Sequence, residues 1–401
     1  MGRTTGAAAA SGSRKAFEAS GSSGPSGSSG PGGSSGPGGS TRSSGSSLAQ
    51  GPRAGRRTYG GERAGGGERA GEAERTGECK TPRRTHRRRR ALLAALITAA
   101  VVVPLSGAAR PEIPAPAPAA LPPVTATTLD ETYEANRANA AEASRMAAAH
   151  GNRDRAAADR EMADASRQFL TFDGRGAGLA TEVFGDLAHA DRVAVLVPGS
   201  DTSIDTYDRF RDAARALYER LTREAPRGTS TAVVAWLGYE TPGTVSTTVT
   251  TTGRAEQAAP KLREFLRRLR AVTGREAHLS LLCHSYGSVV CGRAASHLDV
   301  DDIALVGSPG TGADTAAALH TPARVWAGRG GDDWVAEVPH VSVDLLGTTV
   351  GFGTDPISPS FGAHVFAAGD GGHSDYFRPG STSLANLTRI VLGETSEVTH
   401  G

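Results

Sequence analysis

From residue 179 to residue 392 the chain alternates short β-branched apolar runs with stretches of helical spacing, and this alternation limits the possible folds more than any other property of the sequence. Strand-like runs cover residues 179–184, 192–197, 231–237, 279–283, 302–306 and 323–326, with helical spacing over 207–223, 254–272, 286–297 and 383–392. Strands that are apolar on both sides need a cover on both faces, which strand–helix alternation supplies by laying helices over a parallel sheet. The right-handed crossover rule leaves few topologies for it. The expected class is therefore α/β, with a mostly parallel sheet between two helical layers. The run at 179–184, parted from the next by Gly185-Asp186, is expected as an antiparallel edge strand.

One junction in this pattern carries chemistry. The strand at 279–282 runs through Cys283-His284-Ser285-Tyr286-Gly287-Ser288 into a helix-forming stretch. A serine at the apex of a strand–turn–helix is the setting of a nucleophile elbow. Such a turn needs small residues two positions either side, so that strand and helix backbones can approach. Gly287 meets this need, and Cys283, where glycine is usual, is still small. The helix starting at Tyr286 directs free N–H groups at the site, making the Tyr286 N–H one oxyanion donor. The loop Pro198-Gly199-Ser200-Asp201, entered from the strand before it, supplies the second through the Ser200 N–H. Beyond the second strand after the elbow, a Gly-rich loop presents Asp332 and Asp333. Asp333, followed by Trp334 and Val335, is the better placed to orient a histidine. Near the C-terminus, Gly369-Asp370-Gly371-Gly372-His373-Ser374-Asp375-Tyr376 offers His373 to take the Ser285 proton and return it to a leaving group. His364 is its nearest competitor.

With these residues in order, the chain from about 167 to 393 resembles the α/β-hydrolase superfamily, and more narrowly an actinobacterial exported branch defined by sequence rather than activity. The segments that carry the resemblance are Val197-Pro198-Gly199-Ser200, His284-Ser285-Tyr286-Gly287-Ser288, Val306-Gly307-Ser308-Pro309-Gly310, Gly353-Thr354-Asp355-Pro356 and Gly372-His373-Ser374-Asp375-Tyr376. The resemblance implies an α/β-hydrolase fold with Ser285 as nucleophile, His373 as base and Asp333 as acid. The expected activity is that of a serine hydrolase on a small-molecule or lipid ester, with thioester or amide cleavage on the same triad as the alternative. No cofactor, metal or nucleic acid is expected. A non-catalytic binding module of the cell envelope is the reading from a different class, because fold alone does not prove activity.

The remaining segments have other jobs. Residues 1–110 hold 18 Lys+Arg against 6 Asp+Glu, and residues 111–401 hold 26 against 36, so the net charge of +2 averages a basic and an acidic segment. Residues 1–80 are rich in Gly, Ser and Pro, bury little apolar surface and are expected to be disordered. Residues 81–109 join an arginine cluster to the apolar run 91–105 and then small residues, the layout of an export signal or of a short membrane anchor. The domain is then expected outside the cytoplasmic membrane, with membrane contact through 91–109 if the segment is not cleaved. A twin-arginine pattern at Arg89-Arg90 fits loosely. Such a long polar preface is what a start codon assigned too far upstream would produce. Residues 110–126 read as a Pro/Ala spacer, 127–168 as a helical pair broken near His150-Gly151-Asn152, and 169–396 as the catalytic domain.

The loop Gly307-Ser308-Pro309-Gly310-Thr311-Gly312, which precedes an Ala-rich stretch with helical character, lacks the pattern of a nucleotide-binding turn. His364, Asp370 and His373 match no helical metal-ligand spacing. Residues 341–361 and the helical pair are positioned in sequence to line or cover the pocket. Cys283 and Cys291, eight apart across the elbow, either form a clamp or stay as two small buried thiols, the latter favoured because their separation is expected to exceed bonding reach.

Overall fold

The computed structural model of the protein describes residues 113–244, 250–338, 342–345 and 348–401. The tail and export segment expected over 1–109 lie outside the described residues. Among the described residues no helix is long and apolar enough to cross a membrane. In chain order the elements are α1 (Leu129–Ala149), α2 (Arg153–Met162), β1 (Phe169–Asp173), β2 (Leu179–Gly185), β3 (Arg192–Val197), α3 (Tyr207–Glu224), β4 (Thr231–Leu237), α4 (Gly253–Thr273), β5 (His278–His284), α5 (Gly287–Ala294), β6 (Asp302–Val306), β7 (Arg324–Gly328), β8 (Ser342–Leu345), β9 (Thr348–Gly351), β10 (His364–Val365) and α6 (Thr382–Leu392).

Eight strands form one sheet in the order β1-β2-β4-β3-β5-β6-β7-β10, and β8 and β9 form a separate hairpin. Every pairing from β4 through β10 is parallel. The strand expected as the antiparallel edge, β2, lies one place inside it, antiparallel to both β4 and β1. The edge itself is β1, a strand the sequence pattern did not indicate, and the helical pair expected up to residue 168 ends short of that. The helix stops at Met162 because Asp164 turns the chain, its carboxylate accepting the Ser166 N–H at 2.9 Å. The Ala-rich stretch after Gly312 is likewise no helix but a single 3-10 turn, Ala317–Leu319, ended by His320 in the left-handed region.

Alternation along the strands decides which helix covers which face. Val193, Val195, Leu279, Leu281 and Ile303 point to the layer of α4 and α5, where Leu262, Leu266 and Val290 meet them. Ala194, Leu196, Leu282, Ala304 and Val306 point the other way, to Leu217 of α3 and Leu387 and Ile390 of α6. Each fully buried Val, Leu or Ile among these contributes roughly 1.5–3 kcal/mol. The two layers therefore clamp the sheet whose C-terminal ends carry the site.

The helical pair does not cover that site. α1 and α2 pack on each other and on β1, burying Ala140, Ala143 and Met162 against Phe169 and Phe172. Asn136 of α1 donates to the Phe169 and Leu170 carbonyls at 3.0 and 3.2 Å. Buried Arg155 of α2 holds the Gly174 carbonyl at 2.8 Å and forks onto Asp205 at 2.6 and 3.0 Å. The Pro/Ala spacer is extended, as its composition suggests, but laid along the domain: Ala115 and Val124 pack on its apolar clusters, and the Ala117 carbonyl accepts from Asn139 at 3.1 Å. At the opposite edge, two-residue β10 is followed by an antiparallel bridge between Phe366 and His400, and Asn386 donates to the Ala367 carbonyl at 2.8 Å.

Candidate functional site

Ser285 sits between β5 and α5 with φ 54°, one of three non-glycine residues at positive φ among those described. That conformation is costly for a side chain and persists only where the surroundings impose it. The imposition is visible at two glycines. A Cβ on Gly287 would lie 2.6 Å from the Val197 carbonyl, and one on Gly199 would lie 2.6 Å from the Ser285 Cβ. The helix after the turn and the Pro198–Ser200 loop are thus pressed against the serine from two sides.

Three side chains separated by up to 88 positions meet here. His373 Nε2 lies 2.8 Å from Ser285 Oγ, and His373 Nδ1 lies 2.9 and 3.1 Å from the two Asp333 oxygens. Nδ1–H therefore donates to the carboxylate, leaving the Nε2 lone pair to accept the serine proton. Asp332 is exposed, and His364 is exposed on β10 beside Trp326, so neither joins the cluster. Asp333 is fully enclosed. It also accepts the Tyr376 hydroxyl proton and the Val335 N–H at 2.9 Å. Burial pushes its carboxyl upward, but the bonds from His373, Tyr376 and Val335 outweigh this and hold it below the usual carboxylate range. Gly307 lies under the pair: a Cβ there would meet Asp333 Oδ2 at 2.8 Å and His373 Nδ1 at 3.2 Å. The Gly-rich loop considered for nucleotides instead makes room for this contact.

The two expected oxyanion donors flank the serine. Ser200 follows Gly199 in the loop pressed on Ser285; that loop is braced by the Tyr239 hydroxyl, which donates to the Pro198 carbonyl at 2.7 Å. Asp201, also at positive φ, ties the far side by accepting the Thr244 N–H at 3.0 Å. Tyr286 is the N-cap of α5, with its hydroxyl donating to the Thr251 carbonyl at 2.8 Å and accepting the Ala255 N–H at 3.1 Å. β9 ends beside it, and Phe352 packs edge-on against the Tyr286 ring at 5.7 Å, which brings one residue of the stretch 341–361 against the elbow.

Cys283 and Cys291 are joined by a disulfide, with Cα atoms 6.5 Å apart. The expectation of two separate thiols is corrected. Because the elbow folds α5 back on β5, the second turn of the helix returns within bonding reach of the strand end.

Three residues that the sequence left without a role belong to the site. His284 donates through Nε2 to the His373 carbonyl at 2.7 Å, with its ring 4.8 Å from that of His373. Burial, and then the neighbouring His373, push it down to about 4, so it is a neutral donor. Tyr376, three residues after His373, holds Asp333 and accepts the Gly330 N–H at 3.1 Å. Trp334 lies with its ring 4.6 Å from His373. Adjacency to Ser285, His373 and Asp333 in the sequence was the available signal for all three.

Residues 173–343 match the family described as Alpha/beta hydrolase. An uncharacterized protein of Mycobacterium tuberculosis is 30% identical over 247 residues, covering 54% of this chain and 37% of its own length. A second one is 35% identical over 141 residues, covering 33% of this chain and 53% of its own. The chain thus spans between about a third and a half of the length of these curated relatives. Among solved structures, esterase PE8 is 19% identical with TM-score 0.38, covering 54% of this chain and 99% of that one. An α/β serine hydrolase without lid from Xanthomonas campestris is 18% identical with TM-score 0.36, covering 58% and 95%.

Proposed function

From the α/β-hydrolase fold of this chain as premise, we propose that it is an exported serine hydrolase that cleaves carboxylic or lipid esters. The observation that carries the reading is the hydrogen-bonded series Asp333–His373–Ser285 ending on a serine held at positive φ. In this mechanism Ser285 Oγ attacks the ester carbonyl carbon while His373 Nε2 takes its proton. The carbonyl oxygen becomes an oxyanion and accepts the Ser200 and Tyr286 N–H groups. His373 then passes the proton to the alcohol oxygen as the C–O bond breaks, leaving an acyl group on Ser285. Water, deprotonated by the same nitrogen, releases the acid. Asp333 stays ionised and supports the imidazolium formed in each half. Export is supported by the basic and apolar order of residues 81–109 and by a disulfide, which forms and persists in oxidising compartments.

The experiment is labelling of the full chain with a fluorophosphonate, followed by mass mapping of the adduct and of the mature N-terminus. An adduct on Ser285, absent from Ser285→Ala together with hydrolysis of a short-chain chromogenic ester, is the expected result. An unlabelled Ser285 in the folded protein would leave the binding-module reading in its place.

A further inference from the structure

We propose that Trp334 is the wall of the leaving-group subsite and selects esters whose alcohol half carries a flat ring. The proposal rests on the hydrolase reading above and adds a substrate class to it. Of the three tryptophans in the chain, Trp236 and Trp326 are buried, whereas Trp334 is 53% exposed and is the exposed large hydrophobic side chain of the described residues. It is not a loose surface ring. Its centroid lies 4.6 Å from that of His373, with the planes at 48°. One carboxylate sets both partners: Asp333 takes the His373 Nδ1–H and also accepts the Val335 N–H at 2.9 Å, capping the short turn Trp334–Glu337. The backbone that carries the indole is therefore fixed relative to the imidazole, and the indole rests against that ring.

Chemistry decides which half of the ester meets it. The alcohol oxygen must lie beside His373 Nε2 to receive the proton as the C–O bond breaks, so its substituent extends along the imidazole, and Trp334 flanks that path. A methyl or ethyl group leaves most of the indole in water. An aryl ring covers it and gains both area burial and the oriented contact of a ring pair. The preference thus resides in the alcohol half and is independent of acyl length.

The test compares benzyl and ethyl esters of one short acid. Trp334→Ala is expected to lower the benzyl-to-ethyl ratio of kcat/KM about tenfold, with Trp334→Phe recovering most of it. Equal losses on both esters, or no loss on either, would overturn the proposal; a tryptophan that serves only to contact a surface falls in the second outcome. A readout without turnover separates this from the fate of the hydrolase reading. In Ser285→Ala protein the acrylamide-quenchable emission reports Trp334. The benzyl ester is expected to shield it and the ethyl ester not, and absence of shielding refutes the subsite. Undiminished hydrolysis by Ser285→Ala would instead refute Ser285 as nucleophile, whatever the quenching shows.

Discussion

The two ends of the parallel strands each hold a buried aspartate bonded to a histidine, and they are built for opposite purposes. At the foot of the sheet, Asp302 accepts His278 Nε2 at 2.7 Å, Arg324 at 2.9 and 3.1 Å, and Trp326 Nε1 at 2.8 Å. At the top, Asp333 accepts His373, Tyr376 and the Val335 N–H. In both cases burial pushes the carboxyl up and the donors more than offset it. The difference lies at the second ring nitrogen. His278 Nδ1 faces another carboxylate, Asp301, at 3.8 Å, while His373 Nε2 faces the Ser285 hydroxyl. The foot also pairs its aspartate with an arginine, whereas among the described residues the top has none on Asp333, which in the proposed mechanism leaves its charge to an imidazolium at His373. On the proposed mechanism, what the far nitrogen touches separates a structural histidine–aspartate pair from a chemical one.

The largest effect that could break this contrast is on rate. His373→Ala is expected to lower kcat/KM for a chromogenic ester by about 10⁴-fold. His278→Ala is expected to leave kcat/KM per folded molecule near that of the parent, and a comparable loss there would end the distinction. Next comes stability. Asp302→Ala leaves Arg324 and His278 facing an emptied buried site and is expected to cost about 3–5 kcal/mol in denaturant unfolding, with little change in kcat/KM of the folded fraction. Among the described residues, the covalent brace lies at the top. Replacing Cys283 and Cys291 together by alanine is expected to remove roughly 2–3 kcal/mol and to make Ser285 labelling by a fluorophosphonate slower, while adding reductant to the variant changes nothing further.

The smallest net effect in the parent concerns pH, because two groups act in opposite directions. His284 is held near 4, below the ~6.5 of a free imidazole, so between those values the unfolded chain binds a proton that the folded chain refuses. Its contribution to stability is lost as pH falls through that window. Asp159 of α2 is raised to about 7 by burial, with Arg155 opposing, so the folded chain keeps a proton that an unfolded carboxylate gives up near ~4. Its contribution is lost as pH rises. The two oppose each other, and each is worth on the order of a few kcal/mol. Asp159→Asn is expected to expose unfolding free energy that increases from pH 4 to 6.5, and His284→Gln one that decreases; the reverse slopes in urea titrations would refute the assignment.

What could be read from the sequence follows from which interactions are local. β3, β4 and β6 were legible because each is apolar on both faces and bounded by polar turns. β1 was not: Phe169-Leu170-Thr171-Phe172-Asp173 is short, and its pairing partner β2 and the cover from α1 are set by tertiary contact. β10 has two residues and no pattern to find. Within the site, the order of Ser285, Asp333 and His373 was available, since a βα alternation assigns loops to one end of the sheet. The disulfide was not, because it depends on how sharply α5 turns back. Tyr376 and His284 went without roles because their partners are reached through space.

The covered edges of the sheet have a consequence for how this domain meets other chains. A bare edge strand offers unpaired amides to any passing strand. Here Asn136 takes carbonyls of β1, and the chain laid beside that region carries Pro114, Pro116, Pro118, Pro122 and Pro123, which have no N–H to offer a ladder. β10 is stopped after two residues and followed by the bridge to His400. Strand addition is thereby opposed at both ends of the eight-stranded sheet, and the separate hairpin of β8 and β9 is the other place where a strand edge is offered.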